Sequence, residues 1–319
     1  MTKRIRFLLI ALILSLPFWW AVNGLEKNLN DIFFWQEISK NSQVFTAQAL
    51  LQEQLNNLKP FRDKNVGDLE IDAKSAISVL IDRWGKEKIL FEKDSDLQLP
   101  IASLTKLMTA EVILENYDLA KEITISKEAV KQEGNFGKLE IGAKLPVDYL
   151  LYPLLLESSN DAAYALANDY DGMTERKFVE LMRQTAEKLG LQDSFFDNPT
   201  GLDPEESKTQ LNYSTAQDLV KLTKVLLKQS LIWNILSTQK FDIYGPELIN
   251  SNELLEEMPG IIGGKTGYTE MAGGCMILVT RAPENLGKII SVVLGTDENG
   301  KRFAEMKRLV DWVQSAYKW

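Results

Sequence analysis

Two side chains in the stretch Pro100-Ile101-Ala102-Ser103-Leu104-Thr105-Lys106-Leu107-Met108-Thr109-Ala110 are of types that can do chemistry together. On a helix, residues three apart share a face, so the Lys106 amine can reach the Ser103 hydroxyl. That is a nucleophile with its base attached. The spacing alone selects little, because Ser-x-x-Lys is expected about once by chance in a chain of this length. It occurs three times, the others being Ser237 to Lys240 and Ser315 to Lys318.

The chain has 319 residues and no histidine, which removes Ser-His-Asp and Cys-His catalysis and every histidine-ligated metal site. Any general base is then a lysine, a tyrosine or a carboxylate. The single cysteine, Cys275, forbids an internal disulfide and any multi-cysteine metal cluster, and reads as a small buried hydrophobe. With 36 basic against 45 acidic residues and a net charge of −9, no basic excess exists to neutralise phosphates. Nucleic acid is not expected as a partner, and no cofactor is called for.

Two later stretches decide among the three Ser-x-x-Lys candidates. Glu157-Ser158-Ser159-Asn160-Asp161 is a polar knot between apolar helical runs, whose plainest reading is a helix N-cap. Gly263-Gly264-Lys265-Thr266-Gly267-Tyr268-Thr269 holds the only Lys-Thr-Gly; its glycines let backbone approach a ligand, and Lys265 offers a cation to an anion. A phosphate-binding loop would need glycine where Pro259 stands, and a helix afterwards. Ser-x-x-Lys, Ser-x-Asn and Lys-Thr-Gly in that order are the set of penicillin-binding proteins and class A β-lactamases. Only Ser103 satisfies the order, since Ser237 has no Ser-x-Asn before Lys265 and Ser315 follows every other motif.

The elements that must position these residues follow from periodicity. Strands are expected over Ala76 to Ile81, Lys88 to Glu92, Glu122 to Ile125, Gly273 to Arg281 and Lys288 to Leu294. Helices are expected from near Ser103, over Pro146 to Leu156, Asp161 to Asn168, Glu175 to Leu189, Thr215 to Lys228, and Arg302 to Ala316. Strands at both ends with helices between predict an α+β domain: an antiparallel sheet built from N- and C-terminal strands beside a helical lobe. The site would lie where the two meet.

Ahead of this domain, expected over 70–319, Lys3, Arg4 and Arg6 precede an uncharged run from Phe7 to Val22 with Trp19 and Trp20 near its end. Residues 1–24 read as a signal peptide or an N-terminal membrane anchor, and either predicts export. Residues 25–69 read as a juxtamembrane helical spacer, with apolar positions at Val44, Ala47, Leu50, Leu51, Leu55 and Leu58.

Across Ala73 to Trp312 the sequence resembles the serine D-alanyl-D-alanine carboxypeptidases, the low-molecular-mass penicillin-binding proteins. The likeness rests on Ala73-Lys74-Ser75-Ala76, Pro100 to Ala110, Glu157 to Ala163, Asn198-Pro199-Thr200-Gly201-Leu202, Tyr213-Ser214-Thr215-Ala216 and Gly264 to Thr269, in family order. It implies a β-lactamase/transpeptidase-like fold, a peptidoglycan stem peptide ending in D-Ala-D-Ala as substrate, and β-lactams as inhibitors. It also implies roles: Ser103 as nucleophile, Lys106 as base, Ser158 as proton relay to the leaving amine, and Asn160 orienting the substrate amide and the lysine. Lys265 and Thr266 would bind the substrate carboxylate, and Gly267 completes their motif. The backbone N–H groups of Ser103 and Tyr268 would form the oxyanion hole.

Two departures stand out. The family's middle motif usually has glycine where Ser159 stands. Many members also carry a second β-rich domain and a C-terminal anchor, so any anchoring here is expected at the N-terminus. A class A β-lactamase would show Glu-x-x-Leu-Asn, but Lys208 precedes Leu211-Asn212 at that spacing. A D,D-endopeptidase uses the same residues and stays open. A catalytically idle wall-binding protein is disfavoured by the intact motifs.

Overall fold

The structure, a computed structural model, describes residues 59–319 apart from 135–137, 205–210, 243–244, 246 and 299. The proposed signal or anchor over 1–24, and the spacer as far as 58, lie outside the described residues. Residues 62–319 form one compact unit. Its first residues, 62–69, are non-helical and lie along the last helix, with the Trp312 indole donating to the Gly67 carbonyl at 2.8 Å.

The sheet is assembled from sequence-distant hairpins. Strands β1 (Ser75–Asp82) and β2 (Glu87–Lys93) form the first; β3 (Ile261–Thr269), β4 (Gly273–Arg281) and β5 (Gly287–Thr296) form an antiparallel meander. β5 pairs with β1 from Gly287↔Asp82 to Leu294↔Ser75, giving the order β3-β4-β5-β1-β2. The central strands are buried almost throughout because both faces are covered. Ile77, Val79 and Ile81 point to the helical lobe, while Ala76 and Leu80 point to the opposite core. Helix α7 (Lys301–Ala316) covers that second face through Met306, Leu309, Val310 and Val313.

The lobe contains α1 (Thr105–Asn116), α2 (Val147–Leu155), α3 (Asn160–Asn168), α4 (Glu175–Leu189), α5 (Ala216–Leu226) and α6 (Ser230–Leu236). Helix α1 runs through its centre, packed against α2, α3, α4 and α5, and is buried continuously from Thr105 to Ile113. Among the described residues no helix is long and apolar enough to cross a membrane.

The α+β architecture is the one expected, and most element ends fall within two residues of expectation. Three features differ. Ser103 lies in a 3-10 turn, Ala102–Leu104, just ahead of α1 rather than inside it. The Lys-Thr-Gly stretch lies in a nine-residue strand, β3, which was not among the expected strands. Helix α6 had no expected counterpart, because seven residues are too few to display a helical period.

Candidate active site

The site is built by three segments that meet at the end of the sheet nearest Ser75 and Thr296. The first is the turn leading into α1. Ala102 has φ 46°, in the left-handed region that a residue with a Cβ seldom adopts. The conformation is held from outside: Gly201 packs so closely that a Cβ there would stand 2.0 Å from the Ala102 carbonyl oxygen. This turn presents Ser103 while Lys106 enters the first turn of α1, preserving the three-residue offset.

Lys106 is wholly buried. Its Nζ lies 3.0 Å from Ser103 Oγ, 2.7 Å from Asn160 Oδ1 and 2.7 Å from the Thr200 carbonyl oxygen. Asn160 Nδ2 donates to the Glu133 carbonyl at 2.6 Å, which fixes Oδ1 as the atom facing the lysine. Burial first, and the nearby charge of Lys265 second, drive the Lys106 pKa well below the ordinary lysine value, against an opposing pull from Asp161. A neutral amine has two N–H donors and one lone pair. Asn160 Oδ1 and the Thr200 carbonyl can only accept, so they take both donors. The lone pair is left for the Ser103 hydroxyl, the geometry a base requires.

The second segment is the junction of α2 and α3. Ser158 also has positive φ, 63°, and its hydroxyl accepts from Lys265 Nζ at 2.8 Å. The N-cap anticipated for this stretch falls on Ser159, whose Oγ accepts from the Ala162 N–H at 3.0 Å and donates to Asp161 Oδ1. A glycine there, the commoner family residue, would have no side chain to do either.

The third segment is β3. Lys265 is buried, and its Nζ also donates to the Thr266 carbonyl at 2.8 Å. Burial, then the charge of Arg302, lower its pKa to about 7. Its Nζ thus addresses Ser158. Thr266 Oγ1 shares a hydrogen bond of 2.7 Å with Ser251 Oγ. Gly267 lets the strand pass beside the nucleophile, since a Cβ on it would stand 3.0 Å from Ser103 N. Tyr268 follows, 43% exposed at the rim.

A cavity of about 770 Å³ opens over these residues, lined by Ser103, Ser158, Asn160, Thr266, Gly267 and Tyr268. Of the eight residues singled out from the sequence, these six reach the cavity wall, while Lys106 and Lys265 support it from beneath. Sequence reasoning did not assign Ser251 or Arg302, which also line it. Neither sits in a motif. Thr200 lay in a quoted stretch, but its contribution is a carbonyl, which carries no side-chain signal. The other Ser-x-x-Lys stretches play no part: Ser237 caps α6 and donates to the Asn234 carbonyl, and Ser315 donates to the Trp312 carbonyl. Cys275 is fully buried, its thiol pushed up to about 11 by burial, as befits a packing residue.

A lysine in place of histidine as the serine's partner, mounted where an antiparallel sheet meets a helical lobe, defines the class of serine acyl-transfer enzymes that includes the penicillin-binding proteins. Within that class the sequence profile of the D-alanyl-D-alanine carboxypeptidase family matches residues 62–298, and the chain belongs to that family. It is 35% identical to the D-alanyl-D-alanine carboxypeptidase DacF of Bacillus subtilis, over 80% of this chain and 65% of that one. It is 32% identical to a D-alanyl-D-alanine endopeptidase of Pseudomonas aeruginosa, over 75% and 77%. The chain therefore spans just under two thirds of the first of these relatives and more of the second. The crystal structure of the Streptomyces K15 DD-transpeptidase superimposes with a TM-score of 0.70 at 28% identity, covering 78% of this chain and all of that one.

Proposed function

We propose that the protein is a serine D-alanyl-D-alanine carboxypeptidase, removing the terminal D-Ala from peptidoglycan stem peptides through an acyl-enzyme on Ser103. The observation that carries this reading is the buried Lys106, whose two obligate acceptors leave its lone pair to the serine. Ser103 Oγ attacks the carbonyl of the penultimate D-Ala as its proton passes to Lys106 Nζ. The oxyanion is held by the Ser103 and Tyr268 N–H groups; losing one such donor costs about 3–4 kcal/mol in the barrier. The C–N bond breaks as the proton taken by Lys106 is relayed through Ser158, itself hydrogen-bonded to Lys265, to the departing D-Ala amine, which returns Lys106 to the neutral form. Water then attacks the ester, and its proton passes by way of Lys106 to Ser103 Oγ as the serine is released.

Lys265 and Thr266, with Arg302 adding fixed positive charge behind them, suit the carboxylate that marks a chain end. β-Lactams would acylate Ser103 by the same route. The positively flanked run from Phe7 to Val22 supports action outside the cytoplasmic membrane, with residues 1–24 as signal or anchor, a spacer after them and the peptidase domain beyond.

The Pseudomonas aeruginosa relative favours a second reading, D,D-endopeptidase action on cross-links. One experiment separates the two. Full-length protein is labelled with a fluorescent penicillin, then assayed for D-Ala release from a D-Ala-D-Ala pentapeptide and for cleavage of a cross-linked dimer. Labelling and D-Ala release, both abolished in Ser103→Ala, are expected. Labelling that survives in the mutant overturns the nucleophile assignment, and dimer cleavage without D-Ala release selects the endopeptidase.

A further inference from the structure

The end of the sheet farthest from Ser103 differs in character from the rest of this acidic chain. The turn between β1 and β2 carries Trp84 at its tip, 72% exposed, with the Arg83 guanidinium 5.5 Å from its ring. Lys86 and Lys88 follow on the same hairpin, and Ile89, 52% exposed, adds apolar surface. The adjoining hairpin brings Arg281 and Lys288 to the same end, directly opposite each other in the ladder, with Gly287 facing Asp82. Lys224, in the last turn of α5, reaches this hairpin through an ion pair of 2.5 Å with Glu87. The acidic residues here are Asp82, whose Oδ1 accepts the Trp84 and Lys86 N–H groups, Glu87, and Glu284. Around these two turns six basic residues stand against three acidic ones, in a chain of net charge −9; Glu256 and Glu257 lie on the far side of Arg281, ahead of Gly260, whose carbonyl accepts the Arg281 N–H.

We propose that this end of the molecule is a docking surface for an anionic lipid bilayer. Charge complementarity favours that occupant: an anionic leaflet attracts basic residues at roughly 1 kcal/mol each, and an exposed indole flanked by cations suits the interface. Chain entry agrees. Arg62 bonds the Ala316 carbonyl at 3.4 Å, fourteen residues along α7 from pocket-lining Arg302, or about 21 Å at 1.5 Å per residue. Arg62, the first residue of the compact unit, therefore lies away from the pocket. Along the sheet, Gly267 aligns with the Ser75 end of β1, and Asp82 lies seven residues further, about 23 Å. With Trp84 on the lipid, Ser103 faces away from the bilayer and toward the wall polymer.

The test uses the full chain in a Cys275→Ala background, reconstituted in vesicles, with an environment-sensitive fluorophore on Ile89→Cys or, as control, on Ile141→Cys. Ile141 is 61% exposed, in the loop whose Leu139 N–H reaches Asp161 beside the active site. The label at 89 should shift blue and be quenched by brominated lipid in phosphatidylglycerol vesicles but not in phosphatidylcholine vesicles, while the label at 141 stays aqueous. Arg83→Gln and Lys86→Gln should each raise the phosphatidylglycerol requirement roughly fivefold, and penicillin labelling of Ser103 reports that these variants are folded. A label at 89 that stays aqueous, equal quenching at 141, or equal shifts on both lipids overturns the proposal. A shift produced by a soluble anionic polymer without vesicles would assign the surface to that polymer instead.

Discussion

The chemistry of single residues turns on two buried amines that must carry opposite charge states at one pH. As the proposed base, Lys106 works only when neutral, so acylation should be lost as pH falls through its depressed pKa. As the proposed carboxylate partner, Lys265 binds only as the ammonium, so binding in the free enzyme should be lost as pH rises through about 7. A bell-shaped kcat/KM for D-Ala release is expected, with the alkaline limb set by Lys265. Lys265→Arg, which stays cationic, should move that limb upward and leave the acid limb in place. Asn160→Asp should do the reverse: a carboxylate against Lys106 favours its charged form, so penicillin acylation at neutral pH falls at least about tenfold and recovers as pH rises. The proposed site residues could be picked out because order along the chain is a one-dimensional property, and Ser103, Ser158 and Lys265 are told from decoys by order alone. Partners supplied by backbone, such as the Thr200 carbonyl, or by an unremarkable position such as Arg302, leave no mark in a sequence.

Elements hold these residues by close backbone approach more than by helix stability, and the two can be separated. Gly201→Ala would drive a Cβ into the Ala102 carbonyl, displacing the strained turn that presents Ser103. Its penicillin acylation rate should fall by more than a hundredfold, beyond what any drop in Tm explains. Thr174→Ala removes the N-cap of α4, whose Oγ1 accepts from the Lys177 N–H at 3.4 Å, and should cost about 1 kcal/mol by denaturant unfolding with acylation unchanged. The legible elements were those with a clear period or a clear edge: α4 with its amphipathic face, and β1 and β5 with their β-branched runs. β3 was obscured because its glycines serve close packing against Ser103, whereas glycine in a sequence reads as a turn. The left-handed backbone at Ala102 and Ser158 is tertiary in origin, and neither residue type hints at it.

At the scale of the whole molecule, the α+β layout was legible because strand-like runs cluster at both ends of the chain with helical runs between them. Which strands would join the two ends of the chain was not, since that pairing depends on surfaces more than two hundred residues apart. The joint is β5 against β1, Leu294 beside Ser75, and it has a consequence in time. Until β5 exists, β1–β2 and β3–β4 are separate hairpins, and no sheet brings Gly267 beside Ser103. A chain truncated after Leu286 should therefore show no penicillin labelling and rapid cleavage in limited proteolysis, though it keeps every motif residue. Such long-range pairing also slows folding, because loop closure precedes the contacts that reward it. The nascent chain thus carries Ser103, the proposed nucleophile, for most of synthesis without the groove that would make it reactive, and the site is complete only once β5 is in place.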